Sequence, residues 1–333
     1  MKVLAEGLLD SENTKSVIPV LFCFDSNYAR CAAVATFSAH INAKSDLKFY
    51  WFTTNDVEEL ALHLKYKLEL FGLNITVICT DTKESIGLWR ETHHLTSAMY
   101  LRLIAHEYIF EEKILYLDCD TLVLTDLRDL YNVKLLNQEF AGVNNLNRSS
   151  SSFIPGFSNE VYINTGVLLM NLKGLRDGDF TRKITLLYEK YEQQIVWGDQ
   201  FLINKFAEGN TLLLDQRWNC QFYSNKVKGL DFNKLAQPEV SSILHFIGNI
   251  KPWQAWCNPV ISNFWWKYAR QTKIDDIKQT EITGLGELIA LADIEHLNGN
   301  YERSSLIKTR AMGILIKKIK DDVQPPSQSA TIT

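Results

Sequence analysis

The chain has 333 residues, 46% of them hydrophobic, with 39 acidic side chains against 35 basic ones and a formal net charge of -4. That is apolar material for one large α/β domain or two small ones, and the lack of a basic excess argues against nucleic acid as a partner. No uninterrupted apolar run reaches the ~20 residues that span a bilayer, and the opening MKVLAEGLLDSENTKSV does not read as a secretory signal, which leaves a soluble or peripheral protein.

In chain order, Val17 to Phe24 (VIPVLFCF) predicts a buried first strand, with Asp25, Ser26, Asn27 and Tyr28 at its carboxyl end. Ala29 to Asn42 has helical composition and Leu47 to Thr53 returns to strand. This βαβ opening predicts a parallel sheet with right-handed crossovers. Asp56 to Phe71 repeats Leu60, Leu64, Leu68 and Phe71 at helical spacing, and Gly72 is placed to stop it. Asn74 to Cys79 is a third strand. No Gly-x-Gly-x-x-Gly or Gly-x-x-x-x-Gly-Lys-Ser/Thr follows any of these strands, so neither a Rossmann-type dinucleotide site nor a P-loop is supported. Thr96 to Phe110 reads as a helix carrying Tyr100, Arg102 and His106. Arg102 on its own is as readily a surface charge as a functional group.

The stretch Glu111 to Asn132, EEKILYLDCDTLVLTDLRDLYN, organises the rest. Ile114 to Leu117 is a short apolar run of the kind that fills a buried parallel strand. Asp118 and Asp120 follow at its carboxyl end, where open α/β sheets place ligands. Period-two alternation turns both carboxylates to one face and Cys119 to the other. Two hard oxygen donors without an adjacent thiolate pair suit magnesium or manganese. A solvated turn is the plain alternative. A calcium loop would need a Gly at its sixth position, where Val123 stands. An aspartyl phosphatase, with Asp118 as nucleophile and Asp120 as acid/base, is the enzymatic rival. Its second metal segment would require a carboxylate where Gly198-Asp199 is followed by Ile203.

Thr125 to Leu130 opens a short helix and Phe140 to Asn144 is a strand. Asn147 to Asn159 (NRSSSSFIPGFSN) reads as a lid, because strand-like sequence resumes at once with Glu160 to Asn171. Asn164-Thr165-Gly166 interrupts that strand, and the small residue would let a ligand approach the backbone. Phe180 to Gln194 is an amphipathic helix. Asp199 and Gln200 precede another, Phe201 to Phe206, with Asp199 either a cap or a catalytic group. Leu212 to Asp215 and Ile243 to Phe246 are further strands. A lone His in an apolar strand is ordinarily a core residue. His245, however, runs into a turn holding Gly248 and Lys251, the combination that a cation and a diphosphate would use.

With Asp-x-Asp, Asn-x-Gly, Asp-Gln and His-x-x-Gly-x-x-Lys-Pro-Trp in this order, the chain resembles the family 8 retaining glycosyltransferases, most of all the bacterial lipopolysaccharide galactosyl- and glucosyltransferases. The likeness runs from about Val20 to Trp253. It implies an α/β fold of the GT-A type, a mixed, mostly parallel sheet flanked by helices that binds a nucleotide-diphospho-sugar; the residues beyond the likeness add a helical C-terminal extension. The resemblance also implies a UDP-hexose donor and a manganese or magnesium ion on Asp118, Asp120 and His245. It puts Asp25, Asn27 and Tyr28 at the uridine, and Arg102 near the donor sugar and diphosphate. Asn164 would contact the sugar, Gly248 and Lys251 the diphosphate, and Asp199 and Gln200 would lie close to the anomeric carbon. Where relatives often carry an Asp toward the sugar hydroxyls, this chain reads Ala141-Gly142-Val143-Asn144-Asn145, so Asn145 keeps a hydrogen-bonding amide without the charge. The implied acceptor is the lipopolysaccharide core or another glycan. A non-catalytic protein that binds a UDP-sugar is the third reading.

Beyond Trp253 aromatic residues crowd together, and Pro259 with the polar run Gln271 to Thr283 marks a boundary. The expected division is residues 16–265 for the catalytic domain, 266–320 for a helical region and 321–333 for a disordered tail. Arg303 to Lys320 sorts most of its basic residues to one side and most apolar residues to the other at about 100° per residue. That pattern fits an anionic membrane surface, or a helix packed on its own domain or a partner. The six cysteines lack C-x-x-C spacing and read as buried thiols, so the expected location is the cytoplasm, peripheral to the inner face of the membrane.

Overall fold

The computed structural model describes residues 16–81, 97–146, 161–195, 198–225 and 231–323. The chain opens as β1 (Ile18–Phe24), α1 (Ala29–Asn42), β2 (Leu47–Thr54), α2 (Glu58–Glu69) and β3 (Asn74–Thr80). All three strands are parallel, as the βαβ opening predicts. A 3-10 turn at Ser97–Tyr100 leads into α3 (Leu101–Tyr108), so the helix expected from Thr96 to Phe110 is shorter and tightly wound at its start. β4 (Ile114–Leu117) pairs parallel with β1.

After β4 the chain makes β5 (Thr121–Val123), α4 (Arg128–Tyr131), β6 (Phe140–Asn144) and β7 (Ile163–Met170). α4 begins three residues later than expected, because Asp126 is used as an anchor. Its Oδ1 accepts from Arg128 N at 2.8 Å, while Oδ2 accepts from Ser45 N at 2.8 Å. The serine-rich segment read as a lid lies outside the described residues. α5 (Leu172–Asp177), α6 (Phe180–Tyr191), α7 (Asp199–Phe206) and β8 (Thr211–Leu213) complete the larger sheet, in the order β3-β2-β1-β4-β7-β6-β8. Only β7 runs against its neighbours β4 and β6, and β8 is again parallel to β6.

Alternation decides which face each residue joins. Val20, Phe22 and Phe24 of β1, with Leu115 and Leu117 of β4, enter the core shared with α1 and α2. Leu21, Cys23, Ile114 and Tyr116 enter the opposite core with α3, α5, α6 and α7. α1 is rich in Ala and buried nearly all round, the composition of a helix with no solvent face. It is covered from outside by a second sheet that the sequence did not announce. β5, β9 (Cys220–Tyr223) and β10 (Ile243–Ile247) form this sheet in the order β5-β10-β9, with α8 (Phe232–Leu235) between the last two in sequence. Ser38 and Asn42 of α1 fasten it: Val123 N donates to Ser38 Oγ at 3.0 Å, and Asn42 Nδ2 donates to Val123 O at 2.9 Å.

α9 (Pro259–Gln271) starts from a capping Asn258, with Pro in its first turn, and puts Trp265, Tyr268 and Ala269 into the first core. The boundary expected after residue 265 therefore falls inside a helix. The polar run after α9 is pinned back on the sheet domain by Thr280 N to Trp253 O at 2.9 Å and by the Arg30–Asp276 ion pair at 2.6 Å. α10 (Leu285–Leu297) and α11 (Tyr301–Val323) form a hairpin. α11 continues through Val323, so the expected disordered tail cannot begin at Asp321; residues 324–333 lie outside the described residues. No helix among the described residues is long and apolar enough to cross a membrane.

Candidate active site

β4 ends at Leu117, yet Asp118 N is still held by Gly166 O of β7 at 2.7 Å. The strand's hydrogen bonding thus reaches Asp118, and Cys119 and Asp120 form the turn that follows. Asp118 and Asp120 point into one cleft while Cys119 points away, its Sγ donating to Cys23 O at 3.4 Å. Thr121 closes the turn, Oγ1 donating to Asp118 O at 2.7 Å, and starts β5. β10 lies antiparallel to β5 with His245 opposite Thr121, and Phe246 N donates to Asp120 O at 3.0 Å. That register sets His245 Nε2 3.2 Å from Asp120 Oδ1 and 3.7 Å from Asp118 Oδ2. Each of the three residues offers a donor atom within 4.8 Å of the others. Two carboxylate oxygens and an imidazole converging at this spacing fit a divalent cation of the manganese or magnesium kind.

Gly166 makes the convergence possible. A Cβ there would stand 2.1 Å from His245 Cε1 and 2.7 Å from Asp118 Oδ2. The sequence reading expected a ligand to approach the backbone at this glycine; the groups that crowd it here are the imidazole and the carboxylate.

Each carboxylate has one oxygen occupied from behind. Tyr116 Oη donates to Asp118 Oδ1 at 2.6 Å, and Arg102 Nη2 donates to the same oxygen at 3.0 Å. Lys251 Nζ donates to Asp120 Oδ2 at 2.5 Å and to Phe246 O at 2.7 Å. Burial alone would lift the Asp120 carboxyl, but Lys251 and His245 outweigh it and hold the group well below the usual carboxylate range. Arg102 is buried rather than a surface charge. Its guanidinium stacks 4.0 Å over the Tyr116 ring, donates from Nη1 to Thr165 O at 2.8 Å, and lies 3.0 Å from Asp199 Oδ2 through Nε. That Nε–H is directed at Met99 O, 3.2 Å away, so its contact with Asp199 is ionic without an aligned hydrogen bond. Burial pushes the Asp199 carboxyl up to about 6, against the pull of Arg102.

Gln200 Oε1 accepts from Asn164 Nδ2 and from Thr165 N, each at 3.3 Å. Asn164 Oδ1 accepts in turn from Gly166 N at 3.0 Å and from Asn219 Nδ2 at 2.8 Å. Asn219 Oδ1 lies 2.9 Å from His245 Nδ1. A line of amides therefore joins the start of α7 to the imidazole. Asn145 stands one residue past β6, with its N–H on Tyr162 O at 2.8 Å, beside the strand that carries Asn164.

Asp25, Asn27 and Tyr28 form the turn after β1, the strand next to β4, with Asp25 Oδ1 accepting from Asn27 N and Tyr28 N at 3.0 Å each. The Tyr28 ring meets Trp253 edge-on at 5.8 Å, which brings this turn against the one that follows β10. Gly248 in that second turn has φ +83, and a Cβ there would also stand 2.7 Å from the Tyr223 ring. Three contributors escaped the sequence reading. Tyr116 was findable, since it lies two residues before Asp118 on the same face; Asn219 and the pairing of β5 with β10 carry no local signal.

The model of the family described as Glycosyl transferase family 8 matches residues 19–257. Glycosyltransferase GlyF of Streptococcus pneumoniae serotype 4 is 27% identical over 229 residues, covering 67% of this chain and 54% of GlyF, so the chain spans about half the length of that relative. General stress protein A of Bacillus subtilis is 24% identical over 277 residues, covering 78% of this chain and 96% of that protein. The crystal structure of galactosyltransferase LgtC in complex with donor and acceptor sugar analogs aligns with a TM-score of 0.65 at 24% identity, over 76% of this chain and 96% of that one.

Proposed function

This chain belongs to glycosyl transferase family 8, and on that premise we propose that it moves a hexose, galactose or glucose, from a UDP-sugar to a glycan hydroxyl with retention at the anomeric carbon. The observation that carries the proposal is the meeting of Asp118, Asp120 and His245 from two different sheets, with Arg102 and Lys251 behind the carboxylates. A divalent cation held by those three residues would supply positive charge against the nucleoside diphosphate. In this reading Asp25, Asn27 and Tyr28 take the uridine, and the backbone turn at Gly248 takes the phosphates. Lys251, already 2.5 Å from Asp120, adds its ammonium to the same edge. Asn164 and Asn145 face the sugar hydroxyls, while Gln200 and Asp199 line the far side of the anomeric carbon. Gln200 is a poor nucleophile, so the acceptor hydroxyl attacks from the face the diphosphate leaves. The glycosidic C–O bond to the diphosphate breaks, and the hydroxyl proton passes to a phosphate oxygen.

The acceptor we propose is the core oligosaccharide of lipopolysaccharide at the inner face of the membrane, with α11 lying on the anionic surface. Support comes from the way α11 packs. Its small residues Ser304 and Ala311 are buried against the rest of the molecule, and Ser304 Oγ donates to Ala292 O of α10 at 2.7 Å. Leu306, Met312, Ile316 and Ile319 stay exposed beside Arg310, Lys317 and Lys318, although Arg303 and Lys308 pair with Glu295 and Asp293.

The test is release of UDP from a panel of UDP-hexoses. It is expected with manganese, lost on chelation, and abolished in Asp120→Asn with the circular dichroism spectrum unchanged. Turnover of no UDP-hexose, or full turnover by Asp120→Asn, would overturn the assignment.

A further inference from the structure

We propose that Asn219 is a positioning residue that fixes the tautomer of His245, holding the proton on Nδ1 and turning the Nε2 lone pair toward Asp118 and Asp120. The inference rests on reading those three residues as the cation site. Two backbone amides decide the polarity of the side chains involved. A backbone N–H can only donate, so the Asn164 atom 3.0 Å from Gly166 N is its oxygen, and the Gln200 atom 3.3 Å from Thr165 N is likewise an oxygen. The two assignments agree, because Asn164 then turns its nitrogen to Gln200 Oε1. The Asn219 atom 2.8 Å from Asn164 Oδ1 must be a donor, hence the nitrogen. What remains to face His245 Nδ1 at 2.9 Å is the Asn219 oxygen, which only accepts. The neutral ring therefore carries its proton on Nδ1. Its Nε2 lone pair is left facing Asp120 Oδ1 at 3.2 Å and Asp118 Oδ2 at 3.7 Å.

The carboxylates alone would favour the opposite tautomer, since an N–H on Nε2 could donate to Asp120. Two features weigh against it. Asp120 already has the Lys251 ammonium on its other oxygen. The opposite tautomer would also press the Nδ1 lone pair against the Asn219 oxygen with no water to intervene, because Asn219 is 0% and His245 3% exposed. In that arrangement two buried acceptors would face each other lone pair to lone pair and both would lose their hydrogen bond, whereas with the proton on Nδ1 Asp120 still keeps the Lys251 ammonium.

The experiment is nitrogen NMR of the full chain labelled at histidine, recorded at alkaline pH, with the His245 signals assigned by their loss in His245→Gln. The proton is expected on Nδ1 in the wild type. In Asn219→Leu, which fills similar space without an acceptor, the proton is expected to move to Nε2. Manganese affinity read by electron paramagnetic resonance should then fall roughly 10- to 100-fold. A wild-type ring protonated on Nε2 overturns the proposal, and so does a tautomer unmoved in Asn219→Leu. Should that variant fail to fold, the wild-type spectrum still decides. Wild-type protein with the proton on Nδ1 that takes up no manganese would instead sink the cation reading and leave the tautomer assignment standing.

Discussion

Gly166 carries the sharpest constraint at the scale of single residues. A methyl group there has nowhere to go except into the imidazole, 2.1 Å away, so Gly166→Ala must displace His245 or the β7 backbone. A shift of about 1 Å in a ligand can cost roughly 100-fold in rate, and that loss of UDP release is the expected outcome, with far-ultraviolet circular dichroism unchanged. Asp199 gives a prediction in pH. Its folded carboxyl is pushed up to about 6 from 3.8, chiefly by burial, so the folded state holds that proton more tightly than the unfolded state. Its contribution to stability is full below 3.8 and is lost as pH rises through about 6. The stability of wild type relative to Asp199→Asn should therefore fall by on the order of 3 kcal/mol between about pH 4 and pH 7. Urea unfolding in the presence of a chelator measures it, and a difference flat in pH would contradict the placement. Asp118 and Asp120 could be picked out in the sequence because carboxylates stood where an apolar strand run stops, and His245 by the Gly248–Lys251 turn that follows it together with the family resemblance. Asn219 could not, since an isolated Asn beside Trp218 carries no spacing that points to a histidine 26 residues on.

Among the elements, the joint between α1 and the small sheet matters most, because β5 carries the acidic turn at one end and is held by α1 at the other. Ser38 is fully buried, accepts from Val123 N at 3.0 Å and donates to Ala35 O at 2.7 Å. Ser38→Ala would strand the Val123 amide in the core, at an expected cost of about 1–3 kcal/mol in the denaturant midpoint. Catalytic loss should follow if β5 shifts, while a variant as stable as wild type would mean that the amide finds another partner. The long strands, α2 and α6 were legible in advance as runs of one periodicity, and α1 by its helical composition. β5 and β9 were not. Three or four residues long, each takes β10 as its strand partner, and nothing within such short runs separates strand from turn.

For the whole molecule, the GT-A fold is a parallel half-sheet that presents the carboxyl ends of β1 and β4, closed by a small sheet that brings His245 from 125 residues beyond Asp120. The helical hairpin α10–α11 is joined to it by a strap fixed at Thr280 and Asp276. A chain ended near Thr283 is expected to keep UDP release and to lose cosedimentation with anionic liposomes; equal binding by both lengths would refute the membrane role proposed for α11. The sequence by itself determined the α/β class, the acidic turn, the amphipathic C-terminal helix and the residue types that meet at the site, because each is written in neighbours along the chain. Only the tertiary structure decided that Lys251 pairs with Asp120, that Arg102 bridges Asp118 and Asp199, and that Asn219 stands behind His245. These contacts join residues 16 to 131 positions apart, and strand register and burial set them rather than any local pattern.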